Sequence, residues 1–341
     1  MSTDVSDSEL ERRGRAGDIA SLLALGMRFG ARQDVPRERA CFGQAAKLGS
    51  PAGLRMLAKS LLSQEPINAA DGVAMMRAAA GQGDAEAVHL CAVLAAQDEN
   101  LPERWAVATE IGAQAAAQGY PLAADESALV VRYPLATIAA PAPVTIIQRA
   151  PRIAVLEAFA APELCDWLIT RAKPHLQRAR VYDDVGDRGR EQDARDNSAA
   201  IFDAMQSDVI MMALRARVKA SAGLPQAGLE KLSVLHYAPG QRFEPHFDFL
   251  DPAIPAQARD MMQSGGQRVA TFLLYLNDDF DGGETAFLDL DYRFKGRKGD
   301  AILFWNVDEQ GAPEPKTRHA GLPTTRGEKW LYSQWIRERR R

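Results

Sequence analysis

The order of apolar and polar positions divides the chain into two regions of different period. Across residues 1–125 small apolar residues recur at helical spacing, as in AAAGQGDAEAVHLCAVLA, and the pattern predicts closely packed short helices. From about residue 231 the period shortens to that of strands. KLSVLHYA, RFEPHFDF, RVATFLLYLND, ETAFLDL, DAILFWN and EKWLYSQWI are short segments separated by Gly and Asp clusters such as NDDFDGG and KGRKGD. Strands at this spacing predict a β-sandwich, barrel or jelly roll. Between the two regions, residues 124–150 lose helical periodicity and carry Pro134, Pro141 and Pro143, which marks a boundary. A helical stripe returns over 162–179, where Leu164, Leu168 and Ala172 lie four apart beside Trp167. The predicted fold is therefore α+β and multidomain: helices over 1–125, a linker over 126–150, and a β-rich domain with flanking helices over 151–341.

The helical region also repeats. Ala45-Ala46-x-x-Gly49 returns as Ala79-Ala80-x-x-Gly83 and as Ala115-Ala116-x-x-Gly119, with a weaker echo at Gly17. An alanine pair lets helices approach closely, and a glycine just beyond suits the end of a helix. Periods in the mid-thirties predict helix–turn–helix units stacked as an α-solenoid. This region resembles the Sel1-like tetratricopeptide-type repeats, which implies a surface for a protein partner and no chemistry of its own.

Composition sharpens the division. Residues 1–150 hold 34 alanines and five aromatics, whereas 151–341 hold 24 alanines and 19 aromatics. Cys41, Cys91 and Cys165 form no CxxC pair, which argues against thiolate zinc sites, iron–sulfur clusters and a disulfide framework. A reduced, cytoplasmic protein is expected. The N-terminus has charges of both signs and no apolar signal region, and no stretch is long enough to span a bilayer. The net charge of −4 gives no electrostatic reason to expect nucleic acid.

The chemistry concentrates in the strand-rich half. His246 and Asp248 occupy alternate positions of one strand-like segment, so they share a face. His319 follows 73 residues later. Two imidazoles and a carboxylate can hold one side of an octahedral ion and leave the rest open, which suits non-haem Fe(II). Zinc fits the same ligand types, but nothing nearby suggests a hydrolytic base. Lys329, ten residues after His319 across HAGLPTTRGEK, can return beside the metal through a hairpin. There its ammonium can pair with the far carboxylate of a metal-chelating 2-oxo acid. Arg326 is a rival for that role. His89, His175 and His236 read as structural, Gly282 and Gly283 as a turn needing positive φ, and Trp305 and Trp330 as core.

Five segments in order, PRIAVLEAFAAPELCDWLITRAKP, LSVLHYAPGQRFEPHFDF, RVATFLLYLNDDFDGGETAF, KGDAILFWN and RHAGLPTTRGEKWLYSQWIRE, identify a resemblance to a known family. Residues 151–338 resemble the 2-oxoglutarate- and Fe(II)-dependent dioxygenases of the prolyl 4-hydroxylase branch. The resemblance implies a double-stranded β-helix (jelly roll) and iron ligands at His246, Asp248 and His319. It implies co-substrate contacts at Lys329, Tyr237 and Thr271, and peptide contacts at Arg195 and Trp335. Only the Arg and a nearby Ser of ARDNS match the family's peptide-closing loop. The implied cofactors are Fe(II), 2-oxoglutarate and O2, with ascorbate as a reductant. Asp248 favours hydroxylation, because halogenating relatives leave that position open for a halide. The expected substrate is a prolyl residue of a peptide or protein recruited through the repeats. The alternatives are hydroxylation of a small molecule or free amino acid, and a scaffold that senses oxygen or 2-oxoglutarate.

Overall fold

A computed structural model describes residues 5–64, 67–179, 196–224 and 228–339. The chain forms two compact units, Met1–Ala136 with Asp203–Met212, and Thr137–Phe202 with Ala213–Arg341.

The first unit contains, among the described residues, helices α1 (Asp7–Arg15), α2 (Ile19–Ala31), α3 (Val35–Lys47), α4 (Pro51–Ser63), α5 (Ala69–Gly81), α6 (Ala85–Gln97), α7 (Arg104–Ala117) and α8 (Pro121–Arg132). Successive helices pack on one another, as a stack of helical hairpins requires. The alanine–glycine repeat closes α3, α5 and α7 in the same way. Gly49, Gly83 and Gly119 have φ of 83°, 86° and 85°, in the left-handed region. The next residue in each case donates its N–H back five positions, from Ser50 to Ala45 O, Asp84 to Ala79 O and Tyr120 to Ala115 O (3.0–3.2 Å). This is the helix-ending turn that glycine permits at no steric cost. The first alanine of each pair is fully buried, so a larger residue there would hold neighbouring helices apart. The echo at Gly17 has the same geometry, with Asp18 N donating to Arg13 O. Ser50 and Asp84 then cap the following helices by accepting from Gly53 N and Ala87 N.

His89, expected at a repeat position, is buried within this unit and lies 2.8 Å from a Glu126 carboxylate oxygen. The other oxygen of Glu126 accepts from Val209 N and Ile210 N, which ties the Asp203–Met212 segment down. Burial, reinforced by Asp208 and opposed by His89, pushes the Glu126 carboxyl above its usual range.

Within 126–150, α8 continues to Arg132 and stops before Pro134, whose ring disfavours helix at the preceding residue. A short helix, Leu135–Ala139 (α9), follows, and the first strand begins at Thr145. The second unit is built on two main antiparallel sheets. The larger sheet runs, in spatial order, β1 (Thr145–Arg149), β2 (Arg152–Leu156), β12 (Ala301–Trp305), β8 (Arg268–Tyr275), β15 (Lys329–Arg337), β6 (Leu232–Tyr237), β4 (Ser198–Phe202) and β3 (Gln177–Arg178), with β5 (Gly228–Leu229) added to β15. The smaller sheet runs β11 (Tyr292–Phe294), β10 (Thr285–Phe287), β13 (His319–Gly321) and β7 (Phe243–His246). A two-stranded piece joins β14 (Thr324–Arg326) to β9 (Asp281–Gly282).

Leu273, Ile302, Phe304 and Leu331 of the larger sheet share one buried cluster with Phe287 of the smaller one. The two inner faces therefore make a single core, as in a jelly roll. The helix α10 (Pro162–Ala172) buries Leu164, Leu168 and Ala172, the stripe the sequence predicts. Trp305 and Trp330 are both buried, as expected of core residues.

Candidate active site

Strand pairing assembles the site. In the register of β13 and β7, His319 lies opposite His246, so the fold closes the long gap between them. The ring centroids are 4.3 Å apart. Phe243 stacks on His246 at 3.6 Å, and Phe304 meets His319 edge-on at 4.8 Å. These aromatic walls restrict both imidazoles. Strand β7 ends at His246, so Asp248 lies beyond it in a bend. The two residues do not alternate along one strand as the sequence suggests. Asp248 is instead held from the opposite sheet, where Thr271 Oγ1 donates to its Oδ2 at 2.7 Å.

Hydrogen bonds define the imidazole tautomers. His246 Nδ1 lies 2.8 Å from Glu244 O, and His319 Nδ1 lies 3.0 Å from Thr317 O. A carbonyl can only accept, so each Nδ1 carries a proton and each Nε2 is the nitrogen turned toward Asp248. His246 Nε2 is 3.6 Å from Asp248 Oδ1, and His319 Nε2 is 3.5 Å from Asp248 Oδ2. One ligand atom from each of the three residues lies within 4.8 Å of the others. Burial alone would raise the Asp248 pKa, but the imidazoles of His319 and His246 and the Thr271 hydroxyl outweigh it and hold the carboxyl below its usual range. Burial, with His246 alongside, lowers His319 to about 4. Two imidazole nitrogens and a carboxylate form a donor set that fits a divalent cation.

Lys329 starts β15 and faces Tyr237 across the pair with β6. Only 2% of it is exposed, and its Nζ donates to Gly283 O at 2.6 Å. The Tyr237 and Tyr275 rings flank the ammonium, each centroid 5.2 Å away. Among the described residues no carboxylate lies within ion-pairing distance of Lys329. Burial pulls its pKa down to about 7. Arg326, the rival cation, is exposed and paired with Asp281 at 2.6 Å.

The remaining predicted positions divide. The Thr271 hydroxyl, expected to serve the co-substrate, has its proton on Asp248 and accepts from Asn306 Nδ2 at 3.0 Å. Trp335 lies opposite Thr271 in the pair of β15 with β8, hence on the same face. Its ring is covered at 3.5 Å by the Arg268 guanidinium. Arg195 lies outside the described residues. His236 lies tilted against Trp330 at 4.4 Å with its Nε2 3.1 Å from Glu328 Oε2, and His175 meets Phe202 edge-on at 5.7 Å. Gly282 and Gly283 have φ of 69° and 68°, as the turn reading requires.

The structure adds residues that the sequence reading passed over. Tyr275 shares the inner face of β8 with Thr271 and Leu273, and period-two alternation could have found it. Its hydroxyl donates to Phe294 O at 2.9 Å and lies 3.1 Å from Thr285 Oγ1. Thr285 ends the GGET turn. Asn306 is fully buried, and its Oδ1 has no partner.

Comparison with known proteins bears on the family. Residues 232–337 match the model of the 2OG-Fe(II) oxygenase superfamily. The chain is 34% identical over 208 residues to Prolyl 4-hydroxylase 1 of Arabidopsis thaliana, covering 57% of this chain and 71% of that protein. It is 33% identical over 218 residues to Probable prolyl 4-hydroxylase 6 of the same organism, covering 58% and 73%. Among solved structures, the viral collagen prolyl hydroxylase of Paramecium Bursaria Chlorella virus-1 is 27% identical, with a TM-score of 0.42 over 54% of this chain and 94% of that one. No helix among the described residues is long and apolar enough to cross a membrane. On the strength of the plant relatives, the chain belongs to the prolyl 4-hydroxylase family of 2-oxoglutarate- and Fe(II)-dependent oxygenases.

Proposed function

We propose that this enzyme hydroxylates prolyl residues of a peptide or protein. In this reading His246 Nε2, Asp248 and His319 Nε2 hold Fe(II), and Lys329 with Tyr237 receives the far carboxylate of 2-oxoglutarate. Bound there, the iron supports oxidation by O2, in which 2-oxoglutarate loses CO2 to become succinate and the substrate C–H becomes C–OH. The chain's own residues provide binding and order. Phe243 and Phe304 fix the imidazoles, Thr271 orients Asp248, and Lys329 sets the direction of the co-substrate. Trp335, stiffened by Arg268, offers an aromatic wall on the site face to a peptide. The helical repeats serve recruitment of the protein substrate.

One observation carries the reading: a His–Asp–His set in the same jelly-roll core as a buried ammonium that no carboxylate among the described residues pairs with. The test is succinate release with Fe(II), O2 and 2-oxoglutarate, with and without a Pro-rich peptide, together with a 16 Da gain on that peptide. His246→Ala and Asp248→Ala should each abolish both signals. A succinate signal that no peptide alters, with no mass gain, would point away from peptidyl proline.

A further inference from the structure

Thr324 follows the segment that carries His319 and is fully buried. Its backbone is fixed on both sides, the N–H donating to Gln241 O at 3.2 Å and the carbonyl accepting from Gly240 N at 2.6 Å. The side chain has no such partner: Oγ1 is buried and makes no hydrogen bond. A buried hydroxyl left unpaired is costly, and native proteins seldom tolerate one without a reason.

Its surroundings supply the reason. A Cβ placed on Gly283 would lie 3.1 Å from Lys329 Cδ and 3.2 Å from Thr324 Oγ1. The hydroxyl and the lysine stem therefore pack against the same glycine, at distances that leave no place for a side chain there. Gly283 also receives the hydrogen bond from Lys329 Nζ, so ammonium, glycine and hydroxyl form one corner of the core. A hydroxyl with no hydrogen-bond partner, beside an ammonium that pairs with no carboxylate among the described residues, suits a ligand with two acceptor oxygens on one carbon.

We propose that Thr324 is a co-substrate-binding residue whose hydroxyl donates to the far carboxylate of 2-oxoglutarate beside Lys329. This rests on the proposed placement of that carboxylate at Lys329. The geometry gives one oxygen to the ammonium and the other to the hydroxyl. It selects a five-carbon 2-oxo diacid over a 2-oxo acid that ends in a methyl group.

The test is calorimetric titration of the full chain loaded with Fe(II) in the absence of oxygen. The ligands are 2-oxoglutarate and 2-oxopentanoate, which carries a methyl group where the far carboxylate would be. Thr324→Val should weaken 2-oxoglutarate by about 10- to 100-fold, the range for a lost hydrogen bond to a charged group. Thr324→Ser should stay near wild type, and 2-oxopentanoate should bind Thr324→Val as it binds wild type. Equal weakening of both ligands would overturn the proposal, since it would signal general distortion. If Thr324→Val binds 2-oxoglutarate normally while Lys329→Ala does not, Thr324 is wrong and the Lys329 placement stands. If neither variant matters, the carboxylate is not in this corner and both readings fall.

Discussion

Replacing Lys329 by Met should make the protein more stable at neutral pH while depriving it of its co-substrate. The ammonium is enclosed by Tyr237, Tyr275 and the Gly283 carbonyl, and burial lowers its pKa from 10.5 to about 7. At 1.36 kcal/mol per unit, that drop means that the buried lysine opposes folding by about 4–5 kcal/mol at pH 7. Met fills a similar volume without charge, but it leaves the Gly283 carbonyl unpaired at about 1–3 kcal/mol. The net gain is about 2 kcal/mol, equivalent to roughly 4–8 °C in the melting temperature of a unit of this size. The sign of the pH dependence follows from proton counts. Between pH 7 and 10.5 the unfolded chain holds a proton that the folded chain has lost, so wild-type stability rises with pH across this window. Below pH 7 the opposition is fully present. The advantage of the variant should therefore be constant below pH 7, vanish near pH 9, and reverse above it as the lost Gly283 hydrogen bond dominates. Urea unfolding followed by tryptophan fluorescence from pH 6 to 10 measures the gap. Added Fe(II) and 2-oxoglutarate should raise the midpoint of the wild type far more than that of the variant. A variant less stable at pH 7, or a gap independent of pH, would refute the argument.

Two further predictions address other elements. Thr271→Val removes the hydrogen bond to Asp248 and should lower Fe(II) affinity by about 10- to 100-fold in an anaerobic titration, whereas Thr271→Ser should preserve it. In the repeats, Gly83→Ala meets no atom within 4 Å and suffers only from its φ of +86°, so it should cost about 1 kcal/mol in thermal unfolding. Gly53→Ala would place its Cβ 2.7 Å from Ala46 N and should cost clearly more, because backbone cannot move aside.

Much of the architecture was legible because it is local or periodic. The alanine–glycine repeat has a conformational meaning that each turn states for itself: a buried alanine, a left-handed glycine, and an N–H returning five residues. The inner-face alternation of β8 and β15 can likewise be counted off the chain. Legibility failed where a contact joins the two sheets. The family resemblance implies a co-substrate contact for Thr271, whereas its hydroxyl proton lies on Asp248. Its partner was hidden, since Asp248 lies in a bend that brings the carboxylate under the other sheet. Asn306, which donates to Thr271 from β12's far end, is invisible for the same reason.

The cations show why some site residues escape any pattern. Arg326 and Lys329 lie three positions apart in TTRGEK, and either could counter a carboxylate. Charge and spacing do not separate them. The structure separates them by what each lacks. Arg326 is exposed and already paired with Asp281, so a further anion would gain little there in high dielectric. Lys329 sits at the start of β15, buried and, among the described residues, without a carboxylate partner. Thr324 Oγ1 is buried with no hydrogen-bond partner, against the rule that buried polar groups find one, and it packs on the same glycine as the lysine stem. On the proposed placement of the 2-oxoglutarate carboxylate, the cost of burying these two groups would be offset when that anion enters. The Lys329→Met experiment measures the first half of this statement, and the Thr324 titration measures the second.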